Sequence, residues 1–423
     1  MDYAKIAQKL REQMARFSGE LSSGFPKVVR RFMEDMIYGV QARQSVRLTE
    51  VSRALGGKTS VKKTEERLSR QIGRSWLWEA VTERLVRLAA RAVERETLLI
   101  LDLSDLCKKY ARKMEYLARV RDGSEKTLGQ GYWMVNVIGA DLGRRGILPL
   151  YGRLYSHRAP DHRSENAEIE RAIGMVSAKT EGRGVWVLDR GGDRVELFRY
   201  LLDRKLRFLN RINGDRSLET EEGVKSALEV ARWTPSFYID YRPRIEQGEA
   251  KLQRLEVGFR RVRLPRRREV LTLVVVRGLG QEPLMLLTSM LVLKSRRSVM
   301  RVVEAYFLRW RVEETIRFLK QSYQLEDVRL LTYRRLQNLV ALVMAVIYFA
   351  AIYLGVRLKL RVLARHVLSA ARRVFNIPDF RLYALADGIK HCLYSRAKGE
   401  ARFGPDSNPP TPPLHLQLGL FDS

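Results

Sequence analysis

The chain is poor in the residues that build disulfide frameworks and zinc sites. Its 423 residues hold two cysteines and five histidines. Cys107 and Cys392 stand far apart, in no metal-type spacing, and the histidines are scattered. This argues against a disulfide scaffold and against zinc, and fits a reducing, cytosolic setting. Negative charge is also in deficit: 48 Asp and Glu face 78 Lys and Arg, a formal charge of +30. Such an excess says nothing about fold. It calls for a polyanionic partner, most simply nucleic acid, although a membrane surface would attract the same charge. The N-terminus lacks the apolar core of a signal peptide. Long apolar runs are rare. Leu339 to Gly355 carries no charge and reaches the lower length limit for a membrane span, yet it also reads as a helix buried against a core.

The chain is organised around Ala305 to Lys320, AYFLRWRVEETIRFLK. With no Gly or Pro, this stretch predicts one continuous helix. At 100° per residue Tyr306, Arg309, Glu313 and Lys320 share a narrow face, beside an apolar stripe of Leu308, Val312, Ile316 and Leu319. The face suits a metal-binding carboxylate beside a polyanion. Ordinary i,i+4 pairs, Arg309 with Glu313 and Glu313 with Arg317, would account for it equally well.

The spacing Tyr-x2-Arg-x3-Glu-x6-Lys resembles the YREK signature of bacterial DDE transposases of the insertion-sequence-four family. The resemblance implies two upstream aspartates at the ends of adjacent strands. Thr97 to Leu101, TLLIL, reads as a buried strand ending at Asp102, with Asp105 as a rival three residues on. Gly184 to Leu188, GVWVL, ends at Asp189 and is followed by a Gly-containing loop. Between them lie two strands, Gly131 to Gly139 and Ile147 to Tyr155, and a helix from Ser164 to Ala178. A helix from Val195 to Leu202 and a strand from Arg207 to Ile212 follow. This is the segment order of an RNase H-like core.

The expected fold is therefore α/β: an RNase H-like catalytic core with a β-rich insertion and helical terminal regions. Residues 1–94 form a helical DNA-binding domain, 95–212 the first part of the core, and 213–285 the insertion. Residues 286–335 complete the core with the Glu helix, 336–398 form a helical region, and 399–423 a flexible tail. Within the first domain, Leu48 to Leu55 and Thr59 to Ile72 flank Gly56-Gly57 in a helix-turn-helix-like arrangement. Lys62, Lys63 and Arg67 are its candidate DNA contacts, although many helical hairpins are basic.

By resemblance, Asp102, Asp189 and Glu313 form the catalytic and metal-binding triad, with Mg2+ as the metal and Mn2+ as a substitute. Tyr306, Arg309 and Lys320 would contact backbone phosphates. The implied activity is cut-and-paste transposition through a DNA hairpin, by a homodimer that brings two transposon ends together with target DNA. The implied location is the bacterial cytoplasm, at the nucleoid. A domesticated endonuclease or a non-catalytic DNA-binding protein of the same fold are the alternatives. LDLSD replaces the family's more usual Asp-Thr pair at the first aspartate, where Ser104 could supply the hydroxyl. Relatives hold a flipped base on an aromatic of the insertion, where Trp233 is the only tryptophan. At the C-terminus, Gln417-Leu418-Gly419-Leu420-Phe421 resembles the QLxLF peptide that docks on the DNA polymerase sliding clamp, presented after the spacer NPPTPP.

Overall fold

The computed structural model describes residues 3–108, 111–121, 127–143, 146–241, 253–360, 362 and 381–397. It is a mixed α/β structure built on one long sheet. The sheet begins with β1 (Leu98–Cys107), β2 (Ala118–Arg121), β3 (Leu128–Ala140), β4 (Ile147–Tyr155), β5 (Val185–Leu188) and β6 (Phe208–Arg211). β1 pairs antiparallel with β3 and parallel with β5, and β5 pairs parallel with β6. β4 pairs antiparallel with β3. The apolar runs LLIL and VWVL are fully buried because their strands lie inside the sheet, covered on both faces.

Two helices make the crossovers. α6 (Glu165–Thr180) leads from β4 to β5 and is capped by Ser164, whose hydroxyl accepts from the Ala167 amide. α7 (Val195–Asp203) leads from β5 to β6 and buries Leu197, Phe198, Leu201 and Leu202.

After a small hairpin, β7 (Ser217–Thr220) with β8 (Gly223–Ser226), and a short helix α8 (Ala227–Arg232), the chain returns to the same sheet. β9 (Ser236–Tyr241), β10 (Gln253–Val262), β11 (Leu271–Arg277) and β12 (Leu284–Thr288) form an antiparallel meander. β12 then pairs with β6. The β-rich stretch thus continues the sheet that carries β1 and β5, in the order β2-β3-β1-β5-β6-β12-β11-β10-β9.

Residues 3–90 are helical: α1 (Tyr3–Leu21), α2 (Lys27–Arg43), α3 (Leu48–Leu55), α4 (Val61–Ile72) and α5 (Leu77–Ala90). The turn between α3 and α4 runs through Gly56 and Gly57, both at positive φ, and Ser60 caps α4.

The expected single helix from Ala305 to Lys320 is interrupted. α9 (Arg296–Phe307) ends before Leu308, and α10 (Trp310–Ser322) begins after Arg309. Both intervening residues keep right-handed helical backbone angles, but the Arg309 amide bonds to the Tyr306 carbonyl, a tightened turn. No Gly or Pro marks the break.

The apolar stretch at 339–355 falls in α11 (Tyr333–Tyr348) and a wider π-type turn over Phe349–Tyr353. It is long and apolar enough to cross a membrane, yet 78 % of its most apolar window is buried inside the protein. It packs against β4, α5 and α2. The approach to β4 is close: a Cβ on Gly152 would lie 2.7 Å from Met344 Cγ. Asn338 Nδ2 donates to the carbonyls of Ile72 and Arg74, which fastens the end of α4 to this helix. α12 (Arg381–Ala397) packs on α1 and α2.

Candidate active site

The parallel register of β1 and β5 pairs Leu98 with Val185 and Ile100 with Val187. Carried two residues further, it brings Asp102 level with Asp189. Asp189 follows the end of β5, but β1 does not end at Asp102 as expected: it runs on to Cys107 along β3, so Asp102 sits within the strand, just past the last residue paired with β5. Asp189 is oriented by its own turn: its Oδ1 accepts from the Gly191 amide at 2.8 Å, capping the 3-10 turn Arg190–Gly192. Gly192 leaves no room for a side chain, since a Cβ there would meet Leu188 Cβ at 2.7 Å and Asn210 Oδ1 at 2.9 Å.

Glu313 comes from the first turn of α10, where the helix dipole favours a carboxylate. Arg309 joins the groups. Its Nη2 lies 2.9 Å from Glu313 Oε1 and its Nη1 3.6 Å from Asp102 Oδ1. Tyr306 is buried, with its ring centroid 5.9 Å from the guanidinium carbon. Arg309 and Asp102 are largely buried, whereas Glu313 is half exposed.

The electrostatics record the same gathering. Burial pushes Asp102 up to about 7; Arg309 opposes this, and Asp189 and Glu313 add to it. Burial also works against the Arg309 charge, but Tyr306, Glu313, Asp102 and Asp189 outweigh it and hold its pKa above the usual value.

Asp105, the rival first aspartate, is engaged elsewhere. Its Oδ2 lies 3.1 Å from Lys320 Nζ, which is also 3.5 Å from Glu326 Oε1. Arg309 therefore meets Asp102, Glu313 and the Tyr306 ring, with Asp189 near enough to act on it electrostatically, while Lys320, at the other end of α10, meets Asp105. Ser104 Oγ accepts from Asn136 Nδ2 at 3.0 Å. Asn136 is fully buried and directly opposite Asp102 in the β1–β3 register. Sequence reasoning missed it, although a lone amide inside the apolar strand WMVNVIG was the available signal.

Among the described residues, no three His, Cys, Asp or Glu side chains stand close enough together to hold a metal ion. The Arg309 guanidinium contacts both Asp102 and Glu313. The donors nevertheless fit a hard divalent cation in kind: three carboxyl groups offer only oxygen.

Of the other candidate contacts, Lys62 and Lys63 are exposed at the start of α4, and Arg67 pairs with Asp35 at 2.7 Å. Lys62 lines a groove of about 950 Å3 with Arg47, Arg53, Arg70, Arg329 and Arg335. Trp233 is 72 % exposed. It borders a cavity of about 930 Å3 with Phe237, Phe259, Arg260, Lys294 and Arg296. Residues 417–421, the clamp-type peptide, lie outside the described residues.

Residues 157–349 match the family model of the transposase DDE domain. The match includes Asp189 and Glu313 and begins after Asp102. Among solved structures, the chain is similar to a piggyBac transposase in a synaptic complex with hairpin DNA. Identity is 12 %, 99 % of this chain and 84 % of that chain are covered, and the TM-score is 0.42. No curated protein matches the chain.

Proposed function

We propose that the protein is a DDE transposase of the YREK type, which cuts the ends of a mobile element and joins them to target DNA. The observation that carries this reading is the Arg309 guanidinium between Asp102 and Glu313, with Asp189 level with Asp102 in the strand register, in a chain of formal charge +30. The strand order β4-β3-β1-β5-β6, in which β3 alone runs against the other four, supports an RNase H-like core.

Phosphodiester attack is slow because the phosphate is already negative. Asp102, Asp189 and Glu313 would hold Mg2+, or Mn2+ in its place, which supplies charge neutralisation for the attacking and leaving oxygens. Asp189 is pre-oriented for this by the Gly191 amide. Arg309 balances the carboxylates between turnovers and turns to a backbone phosphate when DNA binds, with Tyr306 packed against it. Water attacks first at the transposon end. The freed 3′-hydroxyl then attacks the opposite strand, giving a hairpin, or the target. Trp233 offers an exposed ring for an unpaired base, with Lys294, Arg260 and Arg296 near enough to take its phosphates. Lys62 and Lys63 contact end DNA from α4. A homodimer would hold two ends together, at the nucleoid of a bacterial cytoplasm.

The test uses the full chain, Mg2+ and linear DNA bearing the element's own ends. Nicking, hairpins and strand transfer are expected. Asp102→Asn, Asp189→Asn and Glu313→Gln should each abolish them while leaving end binding within a few-fold. Cleavage without joining would replace this reading by an endonuclease, and binding without cleavage by a non-catalytic DNA-binding protein. For the tail, the intact chain should retain purified sliding clamp. A chain ending at Pro413, or Leu420→Ala with Phe421→Ala, should lose it. Equal retention would remove the tail as docking site.

A further inference from the structure

Lys320 lies at the far end of α10 from Glu313 and pairs with a different aspartate from Arg309. Its ammonium is mostly buried, 3.1 Å from Asp105 Oδ2 on β1 and 3.5 Å from Glu326 Oε1. Two carboxylates thus face one cation, where a DNA phosphate would otherwise be its natural partner.

The arrangement is held from below. Glu326 belongs to the 3-10 turn Leu325–Asp327, entered through Gln324 at positive φ and anchored by buried Leu325. Lys108, itself buried just beyond the end of β1, donates from Nζ to the carbonyls of Glu326 and Val328. Asp327 in the same turn pairs with Arg47 at 3.0 Å. The turn is therefore fixed to β1 on one side and to the entry of α3 on the other.

We propose that Asp105 and Glu326 are positioning residues for Lys320, a carboxylate cradle that holds its ammonium back until a DNA phosphate takes their place. This rests on the transposase reading only in naming DNA as the phosphate source. The cradle makes the Lys320 contact conditional: a strand gains it only if its phosphate reaches this one position closely enough to compete with two oxygens already there. It also gives Asp105 a role distinct from that of Asp102.

The consequence is countable in salt dependence. Each phosphate neutralised by a free cation steepens the slope of log K against log salt by roughly 0.9. A lysine that stays with its carboxylates neutralises no phosphate of an unrelated duplex, and so adds nothing to this slope. Asp105→Asn and Glu326→Gln free the ammonium in part, so DNA binding should tighten at low salt and the slope should steepen by up to about 0.9. That amounts to about 3.5-fold more loss of affinity over a fourfold rise in salt. Lys320→Met alone should barely change the slope, and should cancel the increase in the Asp105→Asn background.

The experiment measures binding of the full chain to a short duplex of unrelated sequence over a KCl series, with thermal midpoints recorded alongside. Glu326 is half exposed, so Glu326→Gln tests the idea even if Asp105→Asn folds poorly. Slopes that stay at the wild-type value in both variants, with lowered midpoints, would make the cradle a structural ion pair only and overturn the proposal. Cleavage of end-bearing DNA is scored separately. Its absence with the salt effect intact counts against the transposase reading, and its presence with no salt effect counts against the cradle alone.

Discussion

Asp102 should make the metal-free protein less stable as pH rises. Its folded-state value of about 7 lies above the ordinary 3.8, so the folded protein holds a proton that the unfolded chain gives up. The sign follows: stability is fully present below pH 3.8 and is lost progressively as pH climbs to about 7. The gap is roughly three pH units, and each is about 1.4 kcal/mol, which sets an upper bound of about 4 kcal/mol. Part of this has developed by pH 5, and relaxation softens burial penalties, which leaves about 2 kcal/mol to appear between pH 5 and pH 8.5. Asp102→Asn keeps the shape and removes the titration. Urea unfolding with a chelator present, at both pH values, isolates the effect as the difference between wild type and variant. The variant should be more stable than wild type at pH 8.5 by about 2 kcal/mol, with the gap closing towards pH 5. Parallel curves for the two proteins would refute the argument that burial and neighbouring carboxylates burden this position.

Arg309→Ala removes the cation from Asp102 and Glu313, and should destabilise the chelated protein by about 2 kcal/mol, more at pH 8.5 than at pH 5; a pH-independent loss would mean that only packing was removed. Trp233→Ala should leave stability within about 0.5 kcal/mol, because the ring is exposed. It should weaken binding to DNA with an unpaired base by about 1–3 kcal/mol and leave fully paired duplex unaffected; equal loss on both would dismiss stacking. Gly152→Val drives a branched side chain into Met344 and should cost about 1–3 kcal/mol in urea unfolding, partly recovered by Met344→Ala; no cost would mean that α11 can shift away from β4.

Much of the core was legible because its signals are local. LLIL before Asp102 and VWVL before Asp189 are short apolar runs, as buried parallel strands must be, but the first strand was read as ending at Asp102, whereas β1 runs on to Cys107 because β3 continues beside it. The apolar stretch of α11 was readable as a buried helix because a charged body surrounds it in sequence. The break at Leu308 and Arg309 was not readable. Nothing in that stretch disfavours helix, and the tightened turn accompanies contacts with Tyr306, Asp102 and Glu313, the second distant in sequence. The Lys320–Asp105 pair was equally hidden, since helical periodicity puts Lys320 on the Glu313 face and says nothing of what lies opposite each end. The pairing of β12 with β6 joins residues far apart in the chain, and no local pattern encodes a sheet partner.

That last pairing has a mechanical consequence. β6 is bonded on one edge to the strand that ends at Asp189 and on the other to the strand that closes the meander containing Phe237 and Phe259. The sheet therefore works as a caliper with its jaws locked: the span from the Trp233 cavity to Asp102 and Asp189 is fixed when the protein folds. For a transposase of the kind proposed, a DNA end that seated a base in one jaw would have its reacting phosphate a set number of nucleotides away. Lengthening that DNA by one nucleotide would meet no hinge within the sheet to absorb the difference.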